Sequence, residues 1–367
     1  MMFSRLANTA MVFLLLAGCS NPPTAPAPSP LLAATPASWQ WTDLSTGNSA
    51  ATAGLNWTSV ATSADGTHLA AVDYFVAAGS GEIWTSSDSG ATWIDRSILS
   101  GNASIQQKTW STISMNADAS RIAAAEGSNL WISTDSGATW SANATFVGLN
   151  VQSIAWSADG THVAAVVSGG NIYTSSNGGN SWTPVTSVTV QPWSSIASSA
   201  DGAHLAAVAN TGDIWTSSDS GGTWTDRSNS ATQNLVWTSI TSSADGTHLA
   251  AVVNLGDIWT SADSGVTWTN RTQGTALGGK YWVSITSSAN GVRLAAVQNH
   301  TNGDIWTSNN WGRTWSNQTS GTSASASEWQ TICSGADGNH LFGGVSTLTP
   351  TVGSQGLGHL WLGTQQN

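Results

Sequence analysis

Short apolar segments separated by small polar residues recur along the whole chain. One of them is Leu69-Ala70-Ala71-Val72, and the same four residues return at 205–208, 249–252 and 294–297. Each segment follows a stretch such as Trp57-Thr58-Ser59-Val60 and precedes one such as Ile83-Trp84-Thr85. Apolar runs this short, bounded by Gly, Asp and Ser, predict β-strands rather than helices.

These segments form a unit that occurs seven times. We call its predicted strands a to d, and strand a begins at Trp57, Trp110, Val151, Trp193, Trp237, Trp282 and Trp329 in units 1 to 7. Successive starts lie 41 residues (Trp110 to Val151) to 53 residues (Trp57 to Trp110) apart. A turn such as Ala64-Asp65-Gly66-Thr67 joins strands a and b. A repeat of this length predicts an array of small sheets.

The turn between strands c and d has a fixed sequence. The phrase Ser-x-Asp-x-Gly-x-Thr-Trp occupies 86–93, 133–140, 217–224 and 261–268, and weaker copies with Asn occupy 175–182 and 308–315. The Asp can accept backbone hydrogen bonds, the Gly can adopt positive φ, and the Trp can pack over the turn. We therefore predict a structural role for the third residue of each copy: Asp88, Asp135, Asn177, Asp219, Asp263 and Asn310.

This phrase is identified as an Asp-box, and the chain resembles the Asp-box (BNR) β-propeller superfamily of sialidases, sortilin-type receptors and photosystem II assembly factors. The resemblance implies an all-β fold, a seven-bladed β-propeller with four-stranded blades, over residues 37–367. Gln40-Trp41-Thr42-Asp43-Leu44 matches strand d at 223–227, whereas unit 7 stops at strand c. We therefore predict that the N-terminal strand completes the last blade and covers its open edge.

The first 36 residues predict targeting and tethering rather than folded structure. Residues 1–18 combine Arg5 with an apolar run, and Leu16-Ala17-Gly18-Cys19 resembles a bacterial lipobox. That resemblance implies lipidation of Cys19 and an anchor in the bacterial cell envelope, at the outer membrane or cell surface. Residues 19–36 are rich in proline and predict a semi-rigid tether. An ordinary secretory signal is the alternative.

Composition narrows the partners. The chain has 367 residues, 8% of them charged, and a net charge of −11. An acidic chain disfavours nucleic acid, which needs a basic surface. With one of the two cysteines assigned to lipidation, no disulfide framework is expected. We expect a monomer without a cofactor.

The repeated aromatic and histidine positions predict packing. Strand c and the Asp-boxes each carry a Trp in nearly every unit, and His68, His162, His204, His248 and His340 all follow the turn between strands a and b. Five histidines at one repeated position predict turn residues rather than a metal site, and no metal is assigned. For the Trp residues that begin strand a, packing and a sugar-stacking rim both remain open.

One charge pattern suggests ion pairs. Glu82 and Arg96, Asp213 and Arg227, and Asp257 and Arg271 are each 14 residues apart across the hairpin of strands c and d. We expect the members of each pair to face each other on neighbouring strands, as exposed pairs worth about 0–1 kcal/mol each.

Loop lengths place the candidate ligand site. The b–c and d–a connections lengthen mainly in units 1, 6 and 7, and both connection types are expected on the face opposite the Asp-boxes. The least repetitive aromatic and cationic residues there are Tyr74, Phe75, Lys280, Tyr281, Trp282 and Trp329. We predict a non-catalytic protein that binds a glycan or a protein ligand on this face. Solvated loops without a ligand are the alternative.

Two other functions remain open. A sialidase would need three convergent arginines, which the arginine positions do not offer. A glycosidase with two carboxylates could use Asp73, Glu126 or Glu328, which lie near the same face. A scaffold similar to a photosystem assembly factor is a further binding alternative, although such factors present an arginine-rich patch. No catalytic residue is assigned.

Overall fold

The structure, a computed structural model, describes residues 38–45, 55–74, 81–99, 105–106, 108–300, 302–346 and 358–366. Cys19, the predicted signal segment, the tether and Phe75 lie outside these residues.

The regular secondary structure of the described residues is almost entirely β-strand, which confirms the all-β prediction. Its helical elements include a short helix, α1 (Arg96–Leu99), and a 3₁₀ turn (Ala144–Phe146). None of its helices is both long enough and apolar enough to cross a lipid bilayer.

The strands follow the predicted units in order. The first is β1 (Trp39–Asp43). Unit 1 contains β2 (Trp57–Thr62), β3 (Leu69–Asp73), β4 (Ile83–Ser86) and β5 (Ile94–Asp95). Unit 2 contains β6 (Trp110–Met115), β7 (Ile122–Glu126), β8 (Asn129–Ser133) and β9 (Ser141–Asn143). Unit 3 contains β10 (Val151–Trp156), β11 (Val163–Gly170), β12 (Ile172–Ser175) and β13 (Thr183–Pro184).

The remaining units continue the same order. Unit 4 contains β14 (Gln191–Ser198), β15 (Leu205–Ala209), β16 (Ile214–Ser217) and β17 (Thr225–Asp226). Unit 5 contains β18 (Trp237–Ser242), β19 (Leu249–Gly256), β20 (Ile258–Ser261) and β21 (Thr269–Asn270). Unit 6 contains β22 (Lys280–Ser287), β23 (Leu294–Gln298), β24 (Ile305–Ser308) and β25 (Ser316–Asn317), and unit 7 contains β26 (Trp329–Ser334), β27 (His340–Val345) and β28 (Leu360–Gln365).

Within each unit, consecutive strands pair antiparallel. The strands form three four-stranded sheets and two eight-stranded sheets. The eight-stranded sheets arise because β11 extends to pair with β14, and β19 extends to pair with β22. Strands a and b share one irregularity in every unit: in unit 1, Trp57 pairs with Asp73 and Ser59 pairs with Val72. This bulge lies beside the first residue of strand a.

The units close into a ring. The a–b turns are linked by backbone hydrogen bonds from one unit to the next, running from Ala64 through 117, 158, 200, 244 and 289 to Ala336, which donates back to Ala64. The predicted closing strand is confirmed, because β1 pairs antiparallel with β28 from Trp39 and Gln365 to Asp43 and Trp361. The outer edge of β28 is therefore covered.

The apolar core lies between neighbouring units. One cluster joins Ala70, Val72 and Ile83 of unit 1 to Trp110 and Trp131 of unit 2, and similar clusters follow around the ring. The Trp residues that begin strand a are at most 1% exposed: Trp57, Trp110, Trp193, Trp237, Trp282 and Trp329. Their burial supports packing and leaves no ring face for a sugar.

The predicted ion pairs across strands c and d are wrong. In the described residues the ion pairs join Lys108 to Glu126, His340 to Asp337 and His359 to Asp43, and the three expected pairs are not among them. Trp84 pairs with Asp95, so Asp95 shares a face with Glu82 while Arg96 points the other way. A separation of 14 residues across this turn places acid and base on opposite faces of the sheet.

Candidate functional site

One face of the ring carries the a–b turns and the c–d turns, and we call it the turn face. In unit 4, Asp219 Oδ1 accepts hydrogen bonds from Ser217 Oγ (2.8 Å) and from the backbone N–H of Thr223 (2.8 Å). Gly221 has φ +86°, and Trp224 Nε1 donates to its carbonyl at 3.1 Å. The hydrogen bonds and the positive φ predicted for this turn are thus present.

The turn carboxylates are held in the charged form. Hydrogen bonds from Ser63 and Thr67 lower the pKa of Asp65 to about 2, and equivalent bonds lower the pKa of Asp159 and Asp245 to about 2. The backbone and side chain of Thr223 lower the pKa of Asp219. These acids are satisfied by their own turns, which is the environment of structural residues.

The opposite face carries the b–c and d–a connections, and we call it the loop face. The last residue of the regular part of strand b pairs with the first residue of strand a, and this slot is apolar in four units: Val167, Ala209, Val253 and Val345. Units 1, 2 and 6 place Asp73, Glu126 and Gln298 there instead. In these three units a polar side chain occupies a position that is filled by an apolar side chain in the other four.

Asp73 is the most perturbed of the three. It is fully buried, its Oδ1 accepts the backbone N–H of Glu82 at 2.6 Å, and its Oδ2 has no partner among the described residues. Burial raises the pKa of Asp73 to about 7, with a further contribution from the charges of Glu82 and Asp95. Asp73 thus titrates near neutral pH.

Glu126 lies in the same slot of the next unit but is paired. Its Oε1 lies 3.1 Å from Lys108 Nζ and accepts a hydrogen bond from Asn129 Nδ2 at 2.9 Å. Lys108 also lies over the ring of Trp131, 5.8 Å from its centroid. Glu328, the third proposed carboxylate, is partly buried, and its backbone forms an isolated antiparallel β-bridge with Asn299.

The exposed part of the predicted ligand set lies on this face. Tyr281 is 43% exposed and stacks on His300, with 5.4 Å between ring centroids. Tyr281 pairs with Asn254 and Lys280 pairs with Gly256, so both residues lie beside the extension of β19. Tyr74, 37% exposed, lies at the end of β3.

Two predicted ligand residues must be corrected. Trp282 and Trp329 are fully buried and belong to the clusters between units. A side chain without accessible surface offers no ring for stacking. Within the predicted set, only Tyr74, Lys280 and Tyr281 remain as described residues with accessible surface.

Sequence reasoning missed Leu255. It is 58% exposed and has φ +55°, at the position where unit 3 has Gly169 with φ +68°. A leucine with positive φ has a strained backbone, and because its side chain is largely exposed, little apolar burial compensates for that strain. Aligning the units with one another would have revealed a Leu in a glycine position. Lys108, His300 and Leu255 are the additional residues that the loop face presents.

Catalytic and metal chemistry receive little geometric support. Arg96, Arg227 and Arg271 each donate to a threonine of their own hairpin, so they do not converge as a sialidase triad would. In the described part of the chain, no group of three or more His, Cys, Asp or Glu side chains could hold a metal ion.

Comparison with known proteins supplies the fold. Neither a protein-family model nor a curated protein sequence matches the chain. Among solved structures it is similar to YCF48 from Cyanidioschyzon merolae, at 15% identity and a TM-score of 0.62, over 88% of this chain and 98% of that one.

Two further structures are similar. YCF48 bound to D1 peptide matches at 15% identity and a TM-score of 0.61, over 90% and 97% of the two chains. A GH74 xyloglucanase from Xanthomonas campestris matches at 15% identity and a TM-score of 0.56, over 84% of this chain and 60% of that one. Likeness at this identity concerns the fold alone. Together with the closed ring of antiparallel sheets, it identifies the chain as a β-propeller.

Proposed function

We propose that this protein is a non-catalytic, seven-bladed propeller of the Asp-box type, with four strands in each blade, that binds a protein or glycan ligand on its loop face. The observation that carries the proposal is the pair Tyr281 and Leu255. Both are exposed on neighbouring strands, and Leu255 occupies a position that costs backbone strain. Backbone strain together with exposed apolar surface is typical of a ligand contact.

Three features support a ligand at this place. His300 stacks on one face of Tyr281 and so restricts the orientations of the ring. The exposed Val236 lies at the same edge, because its carbonyl accepts the N–H of Asn254 at 2.9 Å. A structurally similar propeller, YCF48, is known bound to D1 peptide, which supports a peptide segment as one class of ligand.

The test is a screen of the purified protein against a glycan array and a peptide display library. Tyr281→Ala should weaken the selected ligand several-fold, since aromatic stacking contributes roughly 0.5–1.5 kcal/mol beyond area burial. Tyr281→Phe keeps the ring and should keep most of the affinity. Equal binding by Tyr281→Ala, with an unchanged melting temperature, would remove this residue from the site.

The proposal includes an anchor in the bacterial envelope. Its support is the lipobox-like sequence that ends at Cys19, followed by the proline-rich segment. We expect Cys19→Ala to abolish acyl labelling and to release the protein from the membrane fraction, whereas Cys333→Ala should leave both unchanged. Membrane retention of the unlabelled Cys19→Ala variant would contradict lipid anchoring.

A glycosidase is the second candidate, and the pKa of Asp73 favours it. A carboxyl group that titrates near pH 7 suits a general acid. Its full burial and its bond to the N–H of Glu82 argue against contact with a sugar. We expect no product from sialyl, xyloglucan or aryl-glycoside substrates. Turnover that disappears in Asp73→Asn, Glu126→Gln or Glu328→Gln would favour the enzyme.

A further inference from the structure

A repeated contact fills the clefts between units. In units 1, 4 and 5, an arginine that follows strand d donates its Nε to the threonine of strand c: Arg96 to Thr85 (2.6 Å), Arg227 to Thr216 (2.9 Å) and Arg271 to Thr260 (2.6 Å). In unit 6, Gln318 Nε2 donates to Thr307 Oγ1 at 2.7 Å in the same way. The threonine hydroxyl is therefore a repeated acceptor.

The arginine also reaches the next unit. A Cβ built on Gly137, in the Asp-box turn of unit 2, would lie 3.7 Å from Arg96 Nε. The charge of Asp135, in the same turn, raises the pKa of Arg96 against the larger lowering effect of burial. The clefts thus combine a threonine acceptor from one unit with the c–d turn of the next. That turn carries Asp135 beside Arg96, whereas beside Arg271 it carries Asn310 and the positively charged Arg313.

Unit 3 keeps the acceptor and lacks the donor. Val185 occupies the arginine position, because its N–H donates to the Ile172 carbonyl at 2.8 Å as Arg227 N–H donates to Ile214 at 2.7 Å. Thr174 is present at the threonine position, and its hydroxyl has no hydrogen bond within the described chain. Thr174 is partly exposed, whereas Thr85, Thr216 and Thr260 are 5–6% exposed.

The other units that lack an arginine or glutamine have changed both positions. In unit 2, Ile132 replaces the threonine, and Asn143 Nδ2 donates to the Gly179 carbonyl at 2.9 Å. At the junction of units 7 and 1, Leu44 takes the arginine position and packs against Gly90. Among the described clefts, that of unit 3 combines a short apolar residue with a threonine that has no partner.

This mismatch leaves space. The cleft between units 3 and 4 has a volume of about 450 Å³, against about 60 Å³ and 20 Å³ for the clefts beside Arg227 and Arg271. Its walls include Thr174, Ser181, Thr183 and His162 on one side and Asp219 on the other. The charged group on these walls is the carboxylate of Asp219. Hydrogen bonds from Thr223 lower its pKa, so it is negatively charged at neutral pH and can attract a cation.

We propose that the cleft between units 3 and 4 binds the guanidinium group of an arginine in a peptide segment of a partner protein. The guest arginine donates to Thr174 Oγ1 as Arg96, Arg227 and Arg271 donate to the threonines of their own clefts. It also lies near Asp219, as Arg96 lies near Asp135. A planar guanidinium with several fixed donors fits this arrangement better than an ammonium group. This cleft is separate from the loop face. The experiments on the cleft therefore test this proposal independently of the proposed ligand site on the loop face.

The first test uses small probes and the purified protein. N-acetyl-L-arginine amide should bind at one site with a Kd on the order of 1 mM, as expected for a ligand of its size, with NMR shifts at Thr174 and Asp219. The matched lysine and citrulline amides should bind at least several-fold more weakly. Equal binding of the lysine amide would overturn the guanidinium assignment.

A short peptide with one central arginine should bind more tightly than guanidinium chloride. Equal affinities would identify a free cation as the occupant.

The second test fills and empties the cleft. Val185→Arg supplies the missing side chain from within, as three other units do, and should abolish binding in the folded variant. Because Val185 is buried in the core cluster between units 3 and 4, the same change should lower the melting temperature. Thr174→Val removes a hydrogen bond to a charged group and should weaken binding about tenfold or more. Asp219→Asn keeps the turn, as Asn177 and Asn310 do, and should weaken binding and its salt dependence. Unchanged binding by Val185→Arg would overturn the proposal.

The third test creates a second site. Arg227→Ala should open the cleft between units 4 and 5, where Thr216 and Asp263 are in place, and should raise the stoichiometry from one to two. A stoichiometry of one in a folded Arg227→Ala variant would contradict the assignment of the threonine as guanidinium acceptor.

Discussion

The turn face and the loop face are the two ends of the same strands, and they differ in regularity. On the turn face, one set of hydrogen bonds repeats from unit to unit, and acids such as Asp65 and Asp219 are satisfied within four residues of themselves. On the loop face, equivalent positions hold Asp73 in one unit and valine in others, and Leu255 replaces a glycine. Repetition therefore marks structure, and departures from it mark candidates for function.

The largest effect that can break this comparison concerns the Trp residues below the loop face. Trp282→Ala should destabilise the fold by about 3–5 kcal/mol, because it empties a fully buried site. Chemical denaturation measures the loss. Trp282→Phe should cost much less, since Trp282 Nε1 has no hydrogen bond to lose. If the Trp282→Ala variant were as stable as the native protein, Trp282 would not be a packing residue, and a ligand contact would again account for it.

A pH-dependent effect should follow at Asp73. The pKa of Asp73 is about 7 in the folded protein, above its value in the unfolded chain. The stability contribution of the protonated carboxyl is therefore fully present below about pH 4 and is lost as the pH rises through 7. Asp73→Asn stays neutral and can still accept the N–H of Glu82. Relative to the native protein, the variant should gain about 1–3 kcal/mol between pH 5 and pH 8 in denaturation experiments. Parallel stability curves would show that Asp73 titrates normally.

The smallest of these effects is expected on the turn face. Asp219→Ala should cost about 1 kcal/mol, comparable to the loss of an exposed helix cap, because solvent replaces part of the lost hydrogen bonds. Asp219→Asn should cost less, since Asn177 and Asn310 make the same bonds in their turns. Thermal unfolding distinguishes the two. A loss of ligand affinity on the loop face in Asp219→Ala would show that the two faces are coupled.

Some predictions failed for geometric reasons. The spacing of Glu82 and Arg96 suggested a pair, but strand residues alternate between faces, and a shift of one position separates the two side chains. Asn270 shows the correct partner position, since its Nδ2 donates to Asp257 Oδ2 at 2.7 Å. Trp282 and Trp329 begin their strands like rim residues, yet the neighbouring unit covers them completely.

The sequence by itself determined the features that a local pattern controls. These are the all-β class, the hydrogen-bonded turns of the Ser-x-Asp-x-Gly-x-Thr-Trp phrase and the pairing of the N-terminal strand with β28, each of which depends on residues close together or on one matched strand. Tertiary structure alone decided what lies between units. Trp282 is buried against Ala250 and Val252 of the preceding unit, and Asp219 of the next unit completes the cleft beside Val185. The raised pKa of Asp73 depends first on its burial in the packed structure. Contacts of that kind are set by how neighbouring sheets pack, and packing is not encoded in the period of a repeat.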